Sequence, residues 1–173
     1  INIGEGAGLF LLSSDEISNV AVASSASNCD AFHMTQPDFS AKMAVNCIES
    51  ALKRAGMRGV DYVNLHGTGT QANDKMEAKA VNLTLNATYA STLKPQIGHT
   101  LGAAGAIESA ICAMLCMEEN STLPPHVYDG EYDESLEAIN LVKSGTKFDV
   151  KTAMSLSFAF GGDNAAIIFK RVR

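Results

Sequence analysis

The sequence predicts a mixed α/β domain: one sheet, closed by a hairpin and covered by helices. Two patterns carry that prediction. Short apolar runs alternate with stretches of helical period, and near the end of the chain "TAMSLSFAF" and "AAIIFKRV" flank the four-residue turn "GGDN". With 173 residues, 46% of them hydrophobic, there is enough apolar side chain for one core, and the length argues for a single domain over residues 1–173.

Taken in order, "GAGLFLLSS" and "VAVASS" are predicted as two short strands. In "SAKMAVNCIESALKRAG" the apolar residues Met43, Cys47, Ile48, Ala51, Leu52 and Ala55 recur with helical period. Ser40 is the expected cap of that helix and Gly56 its expected stop, with Lys53 and Arg54 in the last turn, where cations suit the helix dipole. "VDYVNLH" reads as a buried strand that delivers His66 to a loop. Asp74, followed by Glu77, has the spacing of a capping box and predicts a helix to about Asn86; helix-end chemistry and a functional role both remain open for these carboxylates.

Further on, "LKPQIGHTLGAAGAIESAICAMLCMEEN" sets Lys94 and His99 just ahead of a helix apolar on nearly every face, which belongs in the middle of a layered domain. "STLPPHVYDGEYDE" reads as a surface loop. In the final hairpin Met154, Leu156, Phe158 and Phe160 alternate onto one face.

Composition excludes several classes of function. A net charge of −6 opposes nonspecific binding to nucleic acid or to an anionic membrane. That charge is uneven: residues 117–142 hold seven acids and no Lys or Arg, whereas residues 143–173 hold six of the thirteen basic residues. Such asymmetry usually marks a solvated face, and a docking role is the alternative. The apolar stretch Leu101–Met117 contains Glu108 and is shorter than the roughly twenty residues of a membrane span. Cys29, Cys47, Cys112 and Cys116 follow neither CxxC nor zinc spacing, so buried free thiols in a reducing, cytoplasmic setting are expected, with no metal site.

"GEGAG" precedes a strand, "GHTLGAAG" is not GxGxxG, and GxxxxGK[ST] is missing, so nucleotide binding is excluded. The opening "INIGEGAG" lacks Met and a basic leader, and reads as the internal start of something larger.

Strand ends and helix starts are where a layered α/β domain exposes reactive groups, and three such turns carry His66, Lys94 with His99, and Phe160-Gly161-Gly162. Each has a plain structural explanation taken singly. Together "HGTGT" with "NDKME", "KPQIGHTLGAAG", "SFAFGGDNAAIIF", "GEGAG" and "DAFHMTQP" resemble, in order and rough spacing, the C-terminal half of the β-ketoacyl synthases, condensing enzymes of thiolase-like fold. The resemblance covers essentially the whole chain.

It implies a thiolase-like half with a mostly five-stranded mixed sheet, and a Claisen condensation. A cysteine of the preceding half takes an acyl group from acyl carrier protein, malonyl-carrier loses carbon dioxide, and the resulting carbanion attacks the thioester. Negative charge then moves onto the malonyl thioester oxygen, where positioned donors lower the barrier. By match to the motifs, His66 and His99 are those donors. Lys94 is the active-site lysine, organising hydrogen bonds near the second histidine, with Glu77 as its carboxylate partner and Asp74 supporting it. Thr68 and Thr70, and more weakly Thr35, are matched to contacts with the phosphopantetheine arm. Phe160 matches the gating phenylalanine, whose N–H also helps form the acyl oxyanion hole and whose flanking glycines permit it to swing. His33 is expected to be structural and His126 a surface residue.

The resemblance further implies no cofactor bound by this chain, since the substrates ride on the 4′-phosphopantetheine of the carrier protein. Its partners would be that carrier, the N-terminal half of the same enzyme, and a second copy in a homodimer, or a different chain in a heterodimer. Lys42, Arg54, Arg58 and the basic cluster after Lys143 are candidates for steering the acidic carrier.

Some features depart from the family pattern. The Cys-Ser elbow that carries the nucleophile does not occur in these residues, so the chain alone is expected to be inactive. Asp163 stands where many relatives carry Thr, and Ala159 where many carry Gly. The competing reading is a noncatalytic partner subunit of the chain-length-factor kind; both histidines and Lys94 favour the enzyme, because a partner that does no chemistry has no need of the trio. Acyl chain length and the choice among fatty acid, polyketide and polyene pathways would be set largely by the absent half.

Overall fold

The computed structural model describes residues 1–15 and 18–172. Its main sheet has five strands: β1 (Val20–Cys29), β2 (Tyr62–Asn64), β3 (Tyr89–Ser91), β6 (Thr152–Phe158) and β7 (Asp163–Arg171), in the order β1-β7-β6-β2-β3. β7 runs antiparallel to both β1 and β6, while β2 pairs in parallel with both β6 and β3, so the sheet is mixed. The helices are α1 (Lys42–Ala55), α2 (Gln71–Leu85), α3 (Lys94–Ile97) and α4 (Ala104–Met117), and β4 (Ser121–Thr122) pairs with β5 (Lys147–Phe148) in a small ribbon.

The sheet is buried from both sides. On one face α1 and α2 bring Ile48, Leu52, Met76 and Val81 against Val63, Met154, Leu156 and Ile168. On the other, α4 brings Cys112, Leu115 and Cys116 against Tyr62, Ala153 and Phe169. β6 therefore serves both cores: Met154, Leu156 and Phe158 face α1 and α2, as the alternation predicts. Phe160 does not continue the series, because the strand has ended and the residue lies in the following turn.

Four expectations are corrected. "GAGLFLLSS" forms no strand; Leu9 is 99% exposed, and a strand needs an edge to pair with, which none of the described residues gives it. Ala41 occupies the cap position of α1 with φ 60°, one residue after Ser40, whose hydroxyl accepts the Lys42 N–H at 3.3 Å. The helix does end at Gly56, φ 68°, whose N–H turns back to the Leu52 and Lys53 carbonyls. α4 buries one face only, leaving Met114 and Met117 about half exposed. Cys47, Cys112 and Cys116 are buried as expected, but Cys29, at the end of β1, is exposed.

Candidate active site

The chain leaves β2 through Leu65 and His66, and the loop to α2 is tied down from within the helix. Glu77, in the second turn of α2 and 2% exposed, accepts the His66 N–H at 2.6 Å through Oε1 and the Gly67 N–H at 2.7 Å through Oε2. The Asn73 side-chain amide adds a bond at 3.1 Å. Burial pushes the Glu77 carboxyl up to about 7, and these donors oppose the shift. Both oxygens receive N–H bonds, so the geometry suits the ionised form.

The capping box is therefore not formed. α2 begins earlier, at Gln71, which places Asp74 in the first turn, where its charge suits the helix dipole, and leaves Glu77 free to reach back to the loop. Asp74 accepts a bond from Asn73 at 3.2 Å, and burial raises its carboxyl above the ordinary range.

Lys94 opens α3 and is buried, and its partner is not Glu77. Its ammonium pairs with Glu108 of α4 at 2.5 Å and donates to the main-chain carbonyl of His66. The cation thus braces the first histidine from behind instead of organising the second. Burial pushes the Glu108 carboxyl up, and the Lys94 ammonium opposes it. The reason for the correction is topological: β2 and β3 are parallel neighbours, so the loops after both leave the sheet at the same end, and α4 returns Glu108 beneath them.

His99 follows α3. Its Nδ1 accepts the Leu101 N–H at 3.2 Å, which places the ring proton on Nε2. The two imidazoles meet edge to face with centroids 5.4 Å apart, and the Phe158 ring lies 6.2 Å from His66. His66 is 8% exposed with Nδ1 buried, so Nε2 is the ring nitrogen that meets the cleft. Burial first, then the charges of Lys94 and His99, lower the His66 pKa to about 3; burial and Lys94 lower that of His99. Both rings are neutral at neutral pH.

The cleft they line has a volume of about 670 Å³ and is also bordered by Thr35, Thr68, Thr70 and Phe160. Thr68 and Thr70 join hydroxyls at 2.9 Å, and the Thr35 N–H rests on His33 Nδ1 at 3.2 Å. Of the predicted site residues, Lys94, Glu77 and Asp74 lie outside this cleft and border a second cavity of about 510 Å³ that shares Thr68 with it. No Lys or Arg borders the cleft among the described residues, so Lys42, Arg54 and Arg58 do not sit at its wall. His126 is not a surface residue: it is partly buried against Tyr128, with its pKa lowered by burial.

Phe160 is 80% exposed on a turn held by main-chain bonds, by the buried Asn164 amide and by the Cys29 thiol, which donates to Gly161 O at 3.3 Å. The Gly161 N–H donates to Met34 O at 2.8 Å, the Asp30 N–H to Gly162 O at 2.8 Å, and the Ala159 N–H to Asp163 O at 2.8 Å. Asn164, buried, donates to Asp30 at 2.7 Å and to Asn28 at 3.0 Å. Ala159 has φ −111°, which any residue adopts, and the exposed Asp163 joins the turn through its carbonyl, so neither departure disturbs it.

Glu108, Asn164 and Asp30 went unrecognised in the sequence. A lone carboxylate in an otherwise apolar helix was the available signal for Glu108; Asn164 and Asp30 gave none, because their pairing spans 134 residues.

Residues 20–128 match the family model described as "Beta-ketoacyl synthase, C-terminal domain". A relative from Coxiella burnetii, named 3-oxoacyl-[acyl-carrier-protein] synthase 2, is 38% identical over 149 residues, 83% of this chain and 36% of its own length. Among solved structures, a ketosynthase (ApeO) in complex with its chain length factor (ApeC) from Xenorhabdus doucetiae superposes with a TM-score of 0.85 at 35% identity, covering 91% of this chain and 40% of that one. A second, described as a type II polyketide acyl-carrier protein in complex with its ketosynthase bound to the hexaketide, gives 0.81 at 28% identity, over 90% of this chain and 39% of that one. The chain thus spans well under half the length of the relatives it matches, and its five-stranded mixed sheet with helices is thiolase-like.

Proposed function

The chain belongs to the β-ketoacyl synthases, as their C-terminal domain, and on that premise we propose that it supplies the decarboxylation site of a 3-oxoacyl-[acyl-carrier-protein] synthase. The observation that carries this reading is the pair of neutral imidazoles meeting at 5.4 Å in one cleft, with the proton of His99 on Nε2. In the reaction the bond between the malonyl carboxylate and its methylene breaks and carbon dioxide leaves. The electron pair passes to the thioester oxygen, and the enolate attacks the acyl-cysteine thioester, whose thiolate departs. His66 and His99 donate to the enolate oxygen, a charge present in the transition state and not in the substrate.

Lys94, through the His66 carbonyl, and Glu77, through the His66 N–H, are positioning residues. Asp74 supports that loop from the first turn of α2. Thr68, Thr70 and Thr35 offer hydroxyls to the phosphopantetheine arm along the wall of the cleft, and Phe160 gates its mouth. The nucleophilic thiolate comes from residues beyond this chain, in an N-terminal half that packs against residues 1–173, so the chain by itself does not condense. Its partners are acyl carrier protein, that half, and a second synthase subunit. The two neutral donors in one cleft support the enzyme over a chain-length-factor-like subunit.

In the full-length synthase, His66→Ala and His99→Ala are each expected to lower malonyl decarboxylation by about 100-fold or more while acyl transfer to the cysteine changes little. Equal losses in both half-reactions would refute the assignment.

A further inference from the structure

We propose that the extended segment Asn2–Gly8 is a strap that sets the position of His99, and that Gly4 is the residue that lets it close; the proposal rests on the reading of His99 as a donor to the enolate. The strap takes both main-chain groups of the histidine. The His99 N–H donates to Asn2 O at 2.7 Å, and the Gly4 N–H donates to His99 O at 3.0 Å, which makes a one-residue parallel bridge between Ile3 and His99.

This pairing demands an approach that side chains forbid. A Cβ on Gly4 would lie 2.1 Å from the Ile97 carbonyl oxygen, and one on Gly98, φ 75°, would lie 2.6 Å from the Gly4 nitrogen. The alternation continues toward α4, where a Cβ on Gly6 would meet the tip of Ile107 at 2.5 Å and one on Gly8 would meet Ala106 at 2.7 Å. Glycine at positions 4, 6 and 8 therefore gives the strap one bare edge, which lies against the segment from Ile97 to Ile107.

On the other side Leu101 adopts φ 52°, unusual for a non-glycine residue, and turns its N–H back to His99 Nδ1. The imidazole is thus held at its main chain by the strap and at its ring by Leu101. Ile3 of the strap, and Ile1 just ahead of it, also border the cleft. Moving the strap moves one of the two donors relative to the other, and a donor displaced by about 1 Å loses much of its effect on a developing charge.

The test uses the full-length synthase. Gly4→Ala is expected to lower kcat for malonyl decarboxylation by about 10- to 100-fold, with KM for malonyl-carrier and the rate of acyl transfer within about twofold of wild type. Imidazole nitrogen NMR is expected to show His99 passing from the Nε2–H tautomer to a mixture of tautomers. A folded Gly4→Ala enzyme with wild-type decarboxylation, or one that loses acyl transfer equally, would overturn the proposal.

If Gly4→Ala does not fold, Gly6→Ala carries the test, because its added methyl meets only a side-chain tip. A loss of about 3- to 10-fold, restored by adding Ile107→Val, supports the strap, and unchanged decarboxylation overturns it. His99→Ala in the same assay separates the two readings. If it leaves decarboxylation intact, the donor assignment fails; if it suppresses decarboxylation while the glycine variants do not, only the strap fails.

Discussion

Acidification should destabilise the protein through His66 in particular. The folded-state pKa of this residue is lowered to about 3 from 6.5, so between those values the unfolded imidazole binds a proton that the folded one refuses. Stability therefore rises with pH across that window and falls as pH drops below about 6.5. From about pH 7 to about pH 5 the unfolded residue becomes almost fully protonated while the folded one stays neutral. Integrated over that interval, the difference is about 2 kcal/mol. Urea unfolding of wild type and His66→Gln at both pH values isolates this contribution, because glutamine does not titrate and the other groups are common to both. The wild type is expected to lose about 2 kcal/mol more than the variant on acidification. Equal losses would refute the claim that His66 is held neutral by burial.

The brace behind the histidines makes two further predictions. Glu108→Leu should cost about 3–5 kcal/mol, because it strands a buried ammonium, and Lys94→Met/Glu108→Leu should recover much of that loss; both are read by thermal unfolding. A double variant whose loss equals the sum of the separate Glu108→Leu and Lys94→Met losses would show that the ion pair does not couple these positions. Glu77→Gln leaves one of the His66 and Gly67 N–H groups without an acceptor, at about 1–3 kcal/mol, and should loosen the loop. Hydrogen exchange at these two amides would rise above wild type, and unchanged protection would count against Glu77 as their anchor.

The division between what was legible in the sequence and what was not follows the reach of the interactions. Local patterns declared α1, the stop at Gly56 and the β6–β7 hairpin, because helical period, strand alternation and turn chemistry are set within a few residues. The same locality misled at the capping box and at "GAGLFLLSS": Glu77 had a stronger use at the end of β2, and the apolar segment met no edge among the described residues.

The motif order led to His66, His99, Lys94 and Phe160, but who holds whom was decided by tertiary structure. Lys94 pairs with Glu108 and not Glu77 because parallel strands bring both loops to one end of the sheet and α4 passes beneath them. The bond from Asn164 to Asp30 and the strap on His99 likewise join residues far apart in the chain. Spacing along the chain fixes which groups share a helix face or a strand face. Only the packing of the sheet, which brings distant backbones within hydrogen-bond range and excludes water around them, fixes which buried charge finds a partner and which imidazole stays neutral.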